Sequence, residues 1–165
     1  MHQENLSSHT LTRDTHRVEE WRHDPYLSRK KWPEPCYCPD CGVVYRHGNW
    51  QWADIPEHGT AIHCPACLRI RDKCPAAFLV LAGDFFTQHK EEIIRRVRTV
   101  EDEHRGQHPL MRIMAEQDSG TEYHILYTDP HLARATGQAI HSAFRGQLHI
   151  TYQKNEYLLR VSWVR

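Results

Sequence analysis

Two Cys-Pro-x-Cys hooks constrain this chain more than any other feature: CPDC at 38–41 and CPAC at 64–67, with 22 residues between them. Two residues between paired cysteines turn the backbone so that both sulfurs face one ion at about 2.3 Å. Pro39 and Pro65 stiffen the hooks by fixing φ, and Gly42 releases the chain where a positive φ is needed. The segments GVVYRHG and QWADI are expected to pair as strands and to hold the hooks in a tetrahedral arrangement. Cys38, Cys41, Cys64 and Cys67 then fill every coordination position, as in a structural zinc ribbon rather than an open catalytic site. So small a module has little to bury, and metal binding should supply its folding free energy, on the order of 10–16 kcal/mol for zinc in peptides.

Other chemistries fit the spacing less well. A redox C-x-x-C needs one pair, not two. Haem attachment needs a histidine after the second cysteine, whereas His63 precedes the first cysteine of its hook. A zinc deaminase needs H-x-E and an open fourth position, and PEHG at 56–59 supplies neither. Iron remains open beside Zn2+, because four thiolates accept either metal. Cys36 and Cys74 are left over; a buried, inert thiol is the expectation for Cys74, and ligation by Cys36 would crowd Cys38.

The rest of the composition sets limits. The chain has 165 residues, 39% of them hydrophobic, and a mean hydropathy of −0.73. The core must therefore be small, with the remainder as polar surface or an extended arm. Lys plus Arg and Asp plus Glu are both 21, so any basic footprint has to come from local clustering. No apolar run approaches the roughly 18 residues of a membrane span, and the first residues lack the apolar stretch of a secretory leader. A cytoplasmic protein without membrane contact is expected, and six cysteines there read as metal chemistry before disulfides.

Four stretches follow from the pattern. Residues 1–35 read as a polar, flexible arm, 36–75 as the zinc ribbon, 76–107 as a strand and a connecting amphipathic helix, and 108–165 as a β-β-α-β-β unit. AAFLVLAG (76–83) is long enough for one buried strand. Asp84 reads as the cap of a helix to about His104, with Phe86, Ile93, Val97, Val100 and His104 on one stripe. LMRIMAE and EYHILYT are strands separated by Asp118-Ser119-Gly120. Asp129-Pro130 opens a helix and Gly146 closes it. LHITYQ and EYLLRVSWV form a hairpin around Lys154-Asn155, with Leu148, Ile150 and Tyr152 on one face of the first strand and Tyr157, Leu159, Val161 and Trp163 on one face of the second. The predicted class is α+β: a four-cysteine zinc ribbon, then an antiparallel sheet with helices on one face.

Candidate partner-binding residues cluster around the ribbon. Arg29, Lys30 and Lys31 precede it, and Arg69, Arg71 and Lys73 follow the second hook. The latter three have two equally open readings: they offset the roughly −2 charge of a four-thiolate cage, or they face phosphate. Between the hooks, Tyr45, Trp50 and Trp52 alternate with Arg46 and His47, the mixture on which unpaired bases stack. One of the two tryptophans is expected to cover the ribbon core and the other to stay available.

The segments DPY…PEP, CPDCGVVY, WQW, CPACLRIRDK, HPLMRI and DPHLARATGQAIHSAF together resemble a family of small bacterial zinc-ribbon proteins over residues 24–165. More distantly, the hooks followed by an α+β segment ending in YLLRVSWVR are similar to the large-ribosomal-subunit export adaptor of eukaryotes and its archaeal relatives. That adaptor has further C-x-x-C pairs and a longer C-terminal part, so the resemblance implies subunit binding and not export. It implies contact with the ribosome or ribosomal RNA, most of all the large subunit, and with ribosomal protein. Two other classes stand beside it. An enzyme could use His63, His108, His124, His141 or His149 with Asp129 or Glu122, but these are scattered and read as surface groups. A protein–protein adaptor could use the ribbon as a knob and a sheet edge for strand addition.

Overall fold

The computed structural model describes Asp24, Tyr26, residues 31–152 and residues 158–165. Arg29, Lys30, the Lys154-Asn155 turn and Tyr157 lie outside the described residues.

The ribbon is built from very short pieces: β1 (Cys36–Tyr37), β2 (Val44–Arg46), β3 (Asn49–Gln51) and β4 (Thr60–Ala61). They form one sheet in the order β3-β2-β1-β4, with β4 parallel to β1. The expected partner of the VVYR strand was QWADI; the observed partner starts earlier, at Asn49. The cause is the turn. His47 and Gly48 both adopt positive φ, 55° and 78°, which is the tight left-handed connection that matches strand twist. Glu34 clasps that turn, its carboxylate accepting from the N–H groups of His47 (2.9 Å) and Gly48 (3.1 Å).

The second hook opens α1 (Pro65–Asp72), and the α+β body follows: β5 (Ala77–Ala82), α2 (Asp84–Gln88), α3 (Lys90–Gln107), β6 (Ile113–Asp118), β7 (Glu122–Tyr127), α4 (Pro130–Phe144), β8 (Gln147–Tyr152) and β9 (Leu159–Val164). The fold is α+β, with a β-β-α-β-β order over 113–164 as the pattern indicates. The sheet is mixed, however. β5 enters its centre, giving β6-β7-β5-β9-β8, antiparallel to β7 and parallel to β9. A parallel neighbour requires a long crossover, here everything from α2 to β8. A strand of Ala, Phe, Leu and Val, apolar on both faces, suits that central place.

Only one face of the sheet is fully buried. Leu79, Leu81, Ile125, Val161 and Trp163 point into the main core, where they meet Ile93, Val97 and Val100 of α3 and Leu132 and Ile140 of α4. Gly137 lets α4 approach the sheet closely: a Cβ there would lie 2.7 Å from Val161 Cγ1. Phe78, Val80 and Leu126 alternate to the opposite face and stay half-buried.

Helix ends follow the sequence in part. Asp129 caps α4 as expected, its Oδ1 accepting from the N–H of His131 at 2.7 Å. Asp84 is instead the first residue of α2, with Gly83 in the cap position at φ 103°. The expected single helix from 84 breaks at His89, whose ring stacks on Phe85 at 4.1 Å. Its second part then runs past His104 to Gln107. No described helix is long and apolar enough to cross a membrane.

Candidate metal centre

Local backbone chemistry brings the four hook sulfurs together. In the first hook, the N–H of Gly42 bonds to Cys38 O and the N–H of Cys38 bonds to Val43 O, 2.9 and 2.8 Å, with Gly42 at φ 78°. This closes a tight knuckle in which two sulfurs face the same way. The second hook is a helix start. Cys64 is the N-cap of α1, Pro65 occupies the first turn where no N–H is needed, and the Cys64 sulfur accepts from the N–H of Cys67 at 3.4 Å. A further N–H, that of Cys64, bonds to Cys38 Sγ at 3.3 Å and ties the hooks together.

The sulfurs of Cys38, Cys41, Cys64 and Cys67 all lie within 4.8 Å of one another. Cys41 and Cys64 are 3.7 Å apart, far beyond the roughly 2.05 Å of a disulfide. It is close to the edge of a tetrahedron with metal–sulfur bonds of about 2.3 Å, which is roughly 3.8 Å. The donor set and its spacing fit a tetrahedral metal ion, held by all four cysteines.

Electrostatics among the protein's own groups point the same way. Burial pushes the Cys64 thiol well up, and burial likewise raises Cys67 to about 11. Burial acts on Cys41 too, but the N–H of Val43 and the guanidinium of Arg112 outweigh it and bring that thiol down to about 7. Buried thiols that resist ionisation need a cation to become ligands, and a dication supplies it. Cys36 is fully buried in β1 and outside the cluster, and burial raises its thiol. It is the inert, packed cysteine; Cys74, expected in that role, is exposed.

Arg112, which follows α3 and precedes β6, was not singled out by the sequence. Its side chain is among the buried polar ones, 5% exposed. Nη2 donates to Cys41 Sγ at 3.1 Å and Nη1 to Cys67 Sγ at 3.5 Å. Burial works against its charge, but the hydrogen bond and charge of Cys41, with Cys64 and Cys67 behind it, outweigh that and raise its pKa. A guanidinium from the body thus lies against the hook sulfurs, the place that one of the two open readings gave to Arg69, Arg71 and Lys73. Only a contact spanning 71 residues of sequence brings it there, and no local pattern reports such a contact.

The other candidate residues are dispersed. Arg69 requires a correction: it is 3% exposed and forms an ion pair with Asp24, with Tyr26's ring 4.5 Å from its guanidinium and Cys74 O accepting from Nη1. It sits on neither the cage nor an open phosphate surface, because those partners occupy its fork. Arg71 is exposed and lies 3.1 Å from Asp72; Lys73 is exposed and ends α1 at φ 52°. Lys31 is exposed and Arg46 half-buried in β2. Trp50 packs on the ribbon core against Tyr45 and Trp32, ring centroids 5.4 and 5.7 Å away. Trp52 is 42% exposed. Its Nε1–H bonds to Arg105 O at 2.8 Å, and the guanidinium carbons of Arg105 and Arg112 lie 5.8 and 6.0 Å from its ring. Trp50 thus covers the ribbon core, and Trp52, just beyond the end of β3, is the more exposed of the two.

Comparison with protein-family models, with curated proteins and with solved structures finds no match for this chain.

Proposed function

We propose that this is a non-catalytic structural-zinc protein of the cytoplasm that associates with the ribosome, through the large subunit or its RNA. Such a protein would serve in assembly, hibernation or quality control. The observation that supports the reading most is Trp52: an exposed ring beside a closed thiolate cage, fixed by its indole N–H and flanked by Arg105 and Arg112. An aromatic face held rigid next to cations is a stacking platform for an unpaired base. Exposed Lys31, Arg71 and Lys73 add charge for phosphate on the same module. Four thiolates close the shell and leave no position for substrate, so the ion, zinc in this reading, is structural.

Sedimentation through a sucrose gradient tests this. The protein should travel with large subunits at low salt and be stripped as salt rises, because phosphate contacts release counterions. Trp52→Ala, with metal retained, should weaken that association by about 1–3 kcal/mol, roughly 5- to 150-fold. Trp50 is a poor target, since its ring packs the ribbon core. A protein that stays at the top of the gradient at every salt concentration would overturn the reading. Full association by Trp52→Ala would remove the stacking role alone.

A protein–protein adaptor is the second reading, and one observation favours it. Ile55 (56% exposed) and Ile70 (40%) join Trp52 as exposed large apolar side chains of the ribbon, which suits an apolar groove on a protein better than RNA. Capture of one stoichiometric protein partner after nuclease treatment would select it.

A further inference from the structure

A dication held by four thiolates leaves the cage near −2, and this cage is largely buried. Among the described residues, Arg112 is the cation whose hydrogen bonds reach that cage. Arg112 places Nη2 3.1 Å from Cys41 Sγ and 3.9 Å from Cys64 Sγ, and Nη1 3.5 Å from Cys67 Sγ. The fork is held in that direction from behind. Nε donates to Pro109 O at 2.7 Å, and the Arg112 N–H donates to Thr128 Oγ1 at 2.8 Å. Thr128 Oγ1 in turn donates to Leu110 O at 2.7 Å, and Leu110 itself packs on the ribbon core. The acceptors of its Nε–H and backbone N–H belong to the body, whereas the sulfurs that accept from Nη1 and Nη2 belong to the ribbon. N–H donors to metal-bound sulfur stabilise its charge and hold the ligand in place.

We propose that Arg112 is the counter-charge of the metal cage, so that retention of the ion by the ribbon depends on the body, and docking of the ribbon on the body depends on the ion. The proposal rests on the metal reading of the four cysteines and is independent of the ribosome. The dependence is reciprocal by linkage: whatever Arg112 adds to metal affinity, the metal adds to the junction. Lysine is a poor substitute, because it keeps the charge but lacks the planar fork that serves three sulfurs and a carbonyl at once.

The full-length chain is purified with zinc, and release to a chromophoric chelator is followed near neutral pH. Arg112→Met, which keeps an apolar stem and removes the charge, should weaken retention about 10- to 100-fold. Arg112→Lys should fall between it and the unmodified chain. Arg95→Met, the loss of an exposed arginine on α3, should match the unmodified chain. Cobalt(II) in place of zinc gives a readout that mere destabilisation of the fold does not move. The thiolate-to-cobalt charge-transfer band should shift in Arg112→Met and partly return in Arg112→Lys, with the body's circular dichroism unchanged. Equal retention by Arg112→Met and the unmodified chain overturns the proposal, and so does equal loss in the methionine and lysine variants. Should the methionine variant not fold, the lysine variant decides: release and cobalt band both unchanged overturn it. A chain that takes up neither zinc nor cobalt sinks the metal reading as well, which separates the two failures.

Discussion

The ribbon and the body are held together by different means. The body core contains Trp163, Tyr127, Phe86, Leu79 and Ile125, all fully or almost fully buried, and each such side chain stabilises by about 1.5–3 kcal/mol. The ribbon core has three of the cage cysteines with Val43 and Ala66 at its centre, and its strands have two or three residues each. Apolar burial on that scale cannot offset the conformational entropy of ordering such a loop-rich segment. The same chain thus carries one region built on its own apolar surface and one built around four cysteines that could hold an ion, joined at Arg112, at Leu110 and at the Trp52–Arg105 contact.

Metal removal should break this comparison open and has the largest expected effect. Exhaustive chelation withdraws a contribution on the order of 10–16 kcal/mol, the range for structural zinc in peptides. Amide hydrogen exchange should then show β1 to β4 unprotected while β5, β7 and β9 remain protected. Fluorescence should change with it, because Trp32 and Trp50 report on the ribbon. If body and ribbon lose protection together, the two regions form a single cooperative unit and the division between them does not hold.

The converse change sharpens the comparison from the body's side, with a smaller effect. Gly137→Ala places a Cβ 2.7 Å from Val161 Cγ1 and 3.1 Å from Leu148 Cδ1, an overpacking of about 1–3 kcal/mol. Better helix propensity returns up to roughly 1 kcal/mol of that. The remaining loss, up to about 3 kcal/mol, should appear as a lower urea midpoint for the body, with metal stoichiometry unchanged. An unchanged midpoint would mean that α4 has room to move off the sheet.

What was legible in the sequence divides along similar lines. The cage could be read because its geometry is local: two residues between ligands, a proline in each hook, a glycine at Gly42. Leu159, Val161 and Trp163 on one strand face, and Ile93, Val97 and Val100 on one helix face, were readable because a strand repeats at two and a helix near 3.6. Contacts between distant segments were not. Nothing local to AAFLVLAG says that it enters the centre of a sheet made by later strands, and nothing near Arg112 announces sulfurs 45 to 71 residues earlier. Arg69 misled for the same reason: a basic turn after a hook looks solvated until Asp24 and Tyr26 are seen to cover it. The break at His89 is a single residue leaving helical geometry, at φ −116° and ψ 22°, which helical periodicity does not register.

Acid should separate the two regions by order of failure, and its effect on the body is the smallest of these. In the ribbon, ligands must be thiolates, so protons compete directly with the ion and retention falls as pH falls. In the body, Asp118 accepts from Lys90 and from the N–H of Gly120, which hold its carboxyl below the ordinary value of 3.8. A depressed carboxylate contributes stability that is present above that ordinary value and is lost as pH falls through the lowered one. The pair is exposed and screened by salt, so the contribution is slight. Followed in one acid titration, metal release should come at higher pH than any change in the body's circular dichroism. Asp118→Asn should flatten the body's acid limb below pH 3.8 without moving metal release, and added salt should erase the difference between the two chains. Should Asp118→Asn shift metal release, β6 would be transmitting through Arg112 to the cage, and the junction would be stiffer than its few contacts suggest.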